Sequence, residues 1–235
     1  MSSALQQLPL DLMFAPAMGR QDFMVGECNQ YAVQMIEAWQ TEWVPYPTLT
    51  LYGPKGSGKT HLAAVWQKLS NADYLTLEQF SECRVEVLIE ADKNYVIDRL
   101  EFLIGDREQE EKLFHLYNAF SQSGKFFLGL STISPEKLSF EIKDLASRMR
   151  AAQSVEIKPP DDDLLVKVMA KRFSDQNFRI EQQALDYAVL RMERSWAGLD
   201  DLVEKIIRTA TAMKKGDLTK PLIKIAMTDT QIDED

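Results

Sequence analysis

Apolar and polar positions along the chain follow two rhythms, and the change falls at Pro159-Pro160. Upstream, short β-rich runs alternate with segments of helical period. Residues 28–42 place Tyr31, Val33, Met35, Ile36 and Trp39 on one face and predict a helix, which Trp43-Val-Pro-Tyr-Pro47 breaks. Strands are predicted at Thr48–Tyr52, Asp73–Leu77, Asn94–Asp98, Lys125–Leu130 and Ser154–Ile157. Helices are predicted at 61–69, at 107–122 with Leu113, Phe114, Leu116, Tyr117 and Phe120 inward, and over part of 138–150. Such alternation implies a mainly parallel sheet covered by helices on both faces. After the stiff Pro-Pro break the pattern is helical only, at about 161–174, 181–193 and 197–214, and Asp161–Asp163 sit where a helix N-terminus favours negative charge.

The expected organisation is therefore a loose N-terminal tail over 1–15, an α/β base over 16–158, and a small helical unit with an acidic, solvated C-terminal tail over 159–235. The tail carries a compact apolar cluster, Leu8-Pro-Leu-Asp-Leu12.

Composition narrows the function classes. The formal net charge is −9 and no run of Lys or Arg stands out, which argues against duplex DNA as the main partner. Cys28 and Cys83 have neither metal spacing nor a redox pairing pattern, and His61 and His115 show no zinc-type spacing. No apolar stretch is long enough to cross a membrane, and the N-terminus lacks the basic-then-apolar layout of a signal peptide, so a cytoplasmic location is expected.

The chemistry concentrates in Gly53-Pro54-Lys55-Gly56-Ser57-Gly58-Lys59-Thr60, which fits the phosphate-binding loop pattern between a predicted strand and a predicted helix beginning at His61. Glycines let the backbone curl so that its N–H groups converge on phosphate oxygens, and the helix N-terminus adds unpaired N–H groups. Lys59 is placed to reach β- and γ-phosphates, and the Thr60 hydroxyl to ligate Mg²⁺. Asp98 ends a strand expected beside this loop, where it suits a second-shell hold on Mg²⁺. The next residue is Arg99, a permanent cation that cannot act as a base, with Glu101 two residues on as the alternative acid. Ser131 and Thr132 follow the apolar strand, where a hydroxyl can touch a γ-phosphate or the attacking water, or merely end the strand. Arg148 has the planar fork that stabilises charge on a γ-phosphate. From spacing alone it reads as a surface arginine paired with Asp144 or Glu141.

Several stretches together resemble the DnaA/Hda branch of the AAA+ proteins, over roughly residues 1–210. They are Phe23–Ala32, similar to the branch's nucleotide-base box and containing Val25; the phosphate loop; Val96–Leu103, similar to its Walker B segment; Gln109–Ala119; Asp144–Arg148, similar to its arginine-finger box; and Ile157–Asp161, similar to its base-to-lid junction. The resemblance implies an AAA+ P-loop NTPase fold with an all-α lid, ADP or ATP with Mg²⁺ as cofactors, Ser131 or Thr132 as sensor 1, and Arg148 acting in trans. Gln7-Leu-Pro-Leu-Asp-Leu12 resembles the peptide by which bacterial proteins dock on the DNA sliding clamp, with Leu8, Leu10 and Leu12 as apolar anchors and Gln7 setting the register.

Two absences set the chain apart from the initiator DnaA itself. There is no room after the lid for a helix-turn-helix domain, and the span before Walker B looks too short for the paired helices DnaA uses on single-stranded DNA. The branch often has a sensor 2 arginine where this chain has Ala197, with Arg194 about one turn earlier. The implied function is that of an Hda-type regulator. It would bind the sliding clamp (the polymerase III β subunit) and DnaA, promote ATP hydrolysis by DnaA, and have weak or no turnover of its own. It would form no sequence-specific DNA contact, while self-association into a homo-oligomer remains open. The alternatives are an independent AAA+ ATPase or helicase loader of the DnaC type, and a nucleotide-stabilised, clamp-tethered adaptor without effect on hydrolysis.

Overall fold

Five parallel strands form a sheet of order β2-β3-β4-β1-β5, with β1 at Thr48–Tyr52, β2 at Asp73–Leu75, β3 at Tyr95–Ile97, β4 at Phe127–Ser131 and β5 at Gln153–Glu156. The structure is a computed structural model and describes residues 23–228. The N-terminal tail, with Gln7, Leu8, Leu10 and Leu12, and the acidic tail from Asp229 lie outside the described residues.

Strand alternation divides the base core between the two sheet faces. Leu49, Leu51, Val96, Leu128, Leu130 and Val155 share one cluster with Ala32, Ile36, Leu62, Val65 and Trp66. Tyr95, Ile97 and Phe127 join Leu113, Leu116, Tyr117, Phe120, Leu145 and Met149 in the other. Each such buried side chain contributes about 1.5–3 kcal/mol relative to exposure.

The helices of the first face are α1 (Gln30–Glu37), the short α2 (Trp39–Glu42) and α3 (Lys59–Ser70). The single helix expected over 28–42 breaks at Ala38, and the offset sets Trp39 edge-on to Trp66 and Phe126, with ring centroids 5.9 and 5.2 Å apart. Between β2 and β3 the chain forms two six-residue helices, α4 (Leu77–Glu82) and α5 (Val85–Glu90). The span that looked too short for the paired helices DnaA uses on single-stranded DNA thus holds two helices, each of six residues. Thr76 and Gln79 close a capping box that starts α4, and Phe80 and Leu88 anchor the pair in the second core cluster.

On that second face lie α6 (Arg107–Ser123), capped by Asp106, and α7 (Lys143–Ala151). A separate apolar cluster holds α8 (Asp162–Asp175), α9 (Gln182–Val189), α10 (Trp196–Ala212) and α11 (Lys220–Thr228). Asp161 caps α8 through the Leu164 N–H at 2.7 Å, as its place after the Pro-Pro break suggests. Helix α11 and the two-stranded ribbon β6 (Arg179–Ile180) with β7 (Asp217–Leu218) were not read from the sequence. The ribbon is too short to carry a period. Residues 23–29 strap the two parts together: Phe23 belongs to the base core, while Met24 and Cys28 pack into the helical cluster.

Candidate functional site

Strand β1 is interior and the chain leaves it for the far edge of the sheet, so its C-terminal end opens a crevice of the kind where parallel sheets hold ligands. The phosphate-loop sequence fills that place. The Gly53 N–H donates to the Ser131 carbonyl at 3.2 Å, and the Ile157 N–H donates to the Tyr52 carbonyl at 2.7 Å, which ties the start of the turn to segments on both sides of β1. Gly56 and Gly58 have φ of +79° and +91°, which side chains rarely adopt. A Cβ on Gly58 would come 2.8 Å from the Phe23 ring, and one on Gly56 would come 2.9 Å from Asp200 Oδ2 and 3.1 Å from Trp196. The loop is thus hemmed by the 23–29 strap and by the first turn of α10. Asp200 is itself paired with Arg172 on α8.

Gly58 precedes α3 without a side-chain cap, leaving the first N–H groups of that helix for a ligand. The Lys59 Nζ curls back on the loop and donates to the carbonyls of Gly53 and Pro54 at 2.7 and 2.8 Å. Burial lowers its pKa from the ordinary lysine value, while the carboxylates of Glu101 and Asp98 pull it back up. The Ser57 hydroxyl is buried without a partner, and Thr60 stands exposed at the first turn. Pro54 and Lys55 are exposed at the loop's tip. A cradle of positive-φ glycines, free helix N–H groups, a lysine held over the loop by its own carbonyls and an unpartnered hydroxyl fits a polyphosphate. His61 sits edge-on to Phe23 at 5.1 Å, and Val25 is exposed on the strap.

Asp98 follows β3, and its Oδ1 accepts the Arg99 N–H at 2.9 Å. The hydroxyl of Tyr74 is pushed well above its ordinary pKa, by burial first and then by its hydrogen bond to Asp98 and that carboxylate's charge. Thr60 offsets part of that rise, so Tyr74 lies within electrostatic reach of both Asp98 and Thr60. Sequence reasoning missed it, because a tyrosine in a three-residue strand is an ordinary strand former. Arg99 has φ +51° and points away from the crevice to Glu78, at 3.3 Å.

The two sensor 1 candidates differ in what they touch. The Ser131 hydroxyl is engaged locally, donating to the Ile133 carbonyl at 2.7 Å and accepting the Ile133 N–H at 3.0 Å. Thr132 donates from both its backbone N–H, at 3.1 Å, and its hydroxyl, at 2.7 Å, to Glu101 Oε1, while Glu101 Oε2 is buried without a partner. The structure therefore brings Lys59, Asp98, Glu101 and Thr132 into one electrostatic group around the loop.

Arg148, on α7, is not in that group. Its guanidinium lies over Phe114 and Tyr117, 5.3 and 5.6 Å from the ring centroids. It is exposed, and among the described residues it forms no ion pair with Asp144, Glu141 or any other acid. Arg150 is committed instead to the Leu138 carbonyl at 3.2 Å. Ala197 is exposed on the first turn of α10, and Arg194 pairs with Asp162 at 3.0 Å.

The family model described as the bacterial DnaA ATPase domain matches residues 16–156. The chromosomal replication initiator protein DnaA of Methylacidiphilum infernorum is 24% identical over 221 residues, 85% of this chain and 48% of its own length. The chain thus spans about half the length of such relatives. A Haemophilus influenzae protein of unassigned role is 28% identical over 192 residues, 76% of this chain and 80% of its own. Among solved structures, domain III of Thermotoga maritima DnaA superposes with a TM-score of 0.75 at 24% identity, covering 91% of this chain and 97% of that one. AMPPCP-bound DnaA from Aquifex aeolicus gives 0.67 at 22% identity, covering 80% and 64%. These likenesses establish the AAA+ fold expected from the sequence.

Proposed function

The chain belongs to the family of bacterial DnaA ATPase domains, and on that premise we propose that it is an Hda-type regulator of replication initiation. It holds adenine nucleotide in the crevice and presents Arg148 to ATP bound by DnaA, so that DnaA hydrolyses its nucleotide and the initiator is switched off. The observation that carries this reading is the state of Arg148. It is an exposed guanidinium shelved on two aromatic rings, with no acidic partner among the described residues. A cation kept extended and uncompensated is arranged for an anion supplied from outside. An arginine offered to a γ-phosphate neutralises the charge that develops as the terminal phosphoryl group leaves.

Within the chain's own crevice, the N–H groups of the loop and the first turn of α3, with Lys59, would hold the phosphates, and Thr60 and Asp98 would hold Mg²⁺. A bound nucleotide supplies negative charge that the loop's N–H groups are oriented to receive. Because the loop is packed against Phe23 on the strap and Trp196 and Asp200 on α10, a nucleotide that orders the loop would also order its packing on the helical lid. The N-terminal peptide Gln7–Leu12 would tether the protein to the sliding clamp in the cytoplasm, where DnaA-bound ATP is the substrate.

The test is ATP hydrolysis by purified DnaA on DNA carrying a loaded clamp, with and without this protein. Accelerated hydrolysis that needs both the clamp and Arg148 is expected; an unchanged rate overturns the reading. A second reading, turnover at the chain's own site, rests on the Lys59–Glu101–Thr132 group. Steady hydrolysis without DnaA would favour it.

A further inference from the structure

Helix α6 carries one acidic residue that is completely buried, Glu110, in the first turns of an otherwise amphipathic helix. Among the described residues its carboxylate meets no cation. Oε1 accepts the Gly105 N–H at 2.8 Å and the Glu141 N–H at 3.0 Å, and Oε2 accepts the Ile142 N–H at 2.7 Å. Burying a carboxylate is costly unless its oxygens are matched by donors. Three backbone N–H groups from two separate segments provide that match. Two of the three, Glu141 and Ile142, are the residues that lead directly into α7, with Ile142 at its N-cap position. That cap makes no side-chain hydrogen bond of its own.

The same helix receives the other end of the arrangement. Phe114 and Tyr117 lie four and seven residues after Glu110, so all three project from one face of α6. Those rings are the shelf under Arg148. Leu145 and Met149 of α7 are fully buried against the same core. One helical face therefore grips the entry to α7 through a carboxylate and supports the guanidinium one and a half turns later through aromatic rings.

We propose that Glu110 is a positioning residue for Arg148: its carboxylate pins the start of α7 so that the guanidinium is held over Phe114 and Tyr117 in the pose offered to a partner's phosphate. The functional half of this statement rests on the reading of Arg148 above; the structural half does not. Without the carboxylate, the Glu141 and Ile142 N–H groups lose their acceptors. The approach to α7 then shifts, and Arg148 leaves its shelf while remaining exposed and charged.

The experiment uses the full chain with Glu110→Gln, which presents an amide N–H₂ where a backbone donor expects an acceptor. Two measurements are made. The first is the NMR shift of the Arg148 side-chain protons, which the ring currents of Phe114 and Tyr117 displace in the wild type. The variant should lose most of that displacement while methyl shifts of the helical lid stay in place. The second is DnaA-dependent ATP hydrolysis with loaded clamp. Its maximal stimulated rate should fall on the order of 10²-fold, the usual effect of an ångström-scale misplacement. The protein concentration for half-maximal stimulation and the ADP affinity should stay as in wild type.

An unchanged Arg148 shift in folded Glu110→Gln overturns the proposal. So does a loss of stimulation accompanied by an equal loss of ADP binding. If Glu110→Gln does not fold, Glu110→Asp keeps the charge, falls one methylene short of the Ile142 N–H and is read in the same way. If neither folds, Glu110 serves stability and the proposal is overturned. If the wild type fails to stimulate DnaA, the functional reading falls, while the NMR arm still decides whether Glu110 holds Arg148.

Discussion

Glu101 and Thr132 stand 31 residues apart in the chain and form one unit: the Thr132 N–H and hydroxyl both donate to Glu101 Oε1, at 3.1 and 2.7 Å. The carboxylate's charge is felt at Lys59, and its second oxygen is buried and unpartnered. Arg99, at the position where related ATPases carry the water-polarising acid, faces Glu78 instead. The purified protein should hydrolyse ATP slowly, and what turnover it has should depend on Glu101. Glu101→Gln should lower phosphate release by about 10²-fold, the scale of a lost general base, with little change in ADP affinity. Turnover of several ATP per minute that survives Glu101→Gln but not Asp98→Asn would assign the chemistry elsewhere.

Lys59→Ala should weaken ADP binding by about 1.5–3 kcal/mol, the worth of a charge-assisted contact, or about 10- to 150-fold. Burial holds the Lys59 pKa below 10.5, and bound phosphate favours its charged form. Affinity should therefore be flat below that lowered value and decline as pH rises through it. Calorimetry from about pH 7 to pH 10 should show the decline in the wild type and not in Lys59→Ala. Equal affinities for the two proteins would remove Lys59 from the site.

Gly56 separates the loop from the lid by less than a methyl group's clearance. Gly56→Ala combines φ of +79° with a Cβ 2.9 Å from Asp200 Oδ2. It should destabilise the protein by about 1–3 kcal/mol and weaken ADP binding, because the loop must move off α10. Unchanged melting temperature and ADP affinity would show that the loop and lid are not in contact in solution.

Arg148→Ala removes an exposed side chain, so melting temperature and ADP affinity should hold. Stimulation of DnaA should drop by about 10³–10⁵-fold if the arginine acts on the phosphoryl group. Stimulation equal to that of the wild type would make Arg148 structural.

Replacing Leu10 and Leu12 together by Ala should abolish clamp binding in a pull-down or surface-binding measurement. Two buried leucine contacts are worth about 1.5–3 kcal/mol each, enough to undo a micromolar complex. Retained binding would refute the docking assignment, and loss of folding would mean that the tail packs on its own domain.

What the sequence determined alone is what depends on short-range physics. Gly53–Thr60 between a strand and a helix specifies its turn through residue types at fixed offsets, and Pro159-Pro160 ends the alternating pattern by steric exclusion. The alternation of strands with helices likewise announced the parallel sheet, and helical period announced the inward faces of α1 and α6, although Tyr31 turns out to be exposed. Tertiary structure decided whatever joins distant segments or contradicts local period. Ala38 breaks a helix that periodicity would continue, because Trp39 finds Trp66 and Phe126 across the core. Tyr74 comes within electrostatic reach of Asp98 only because β2 lies beside β3. Arg148 could be read from spacing as a partner of Asp144 or Glu141, yet it rests on rings from another helix. Glu110 carries no mark of burial in its sequence neighbourhood, since a charged residue in a first helical turn is ordinarily solvated there. Only the fold brings three backbone donors to its carboxylate, and such donors leave no trace in side-chain identity.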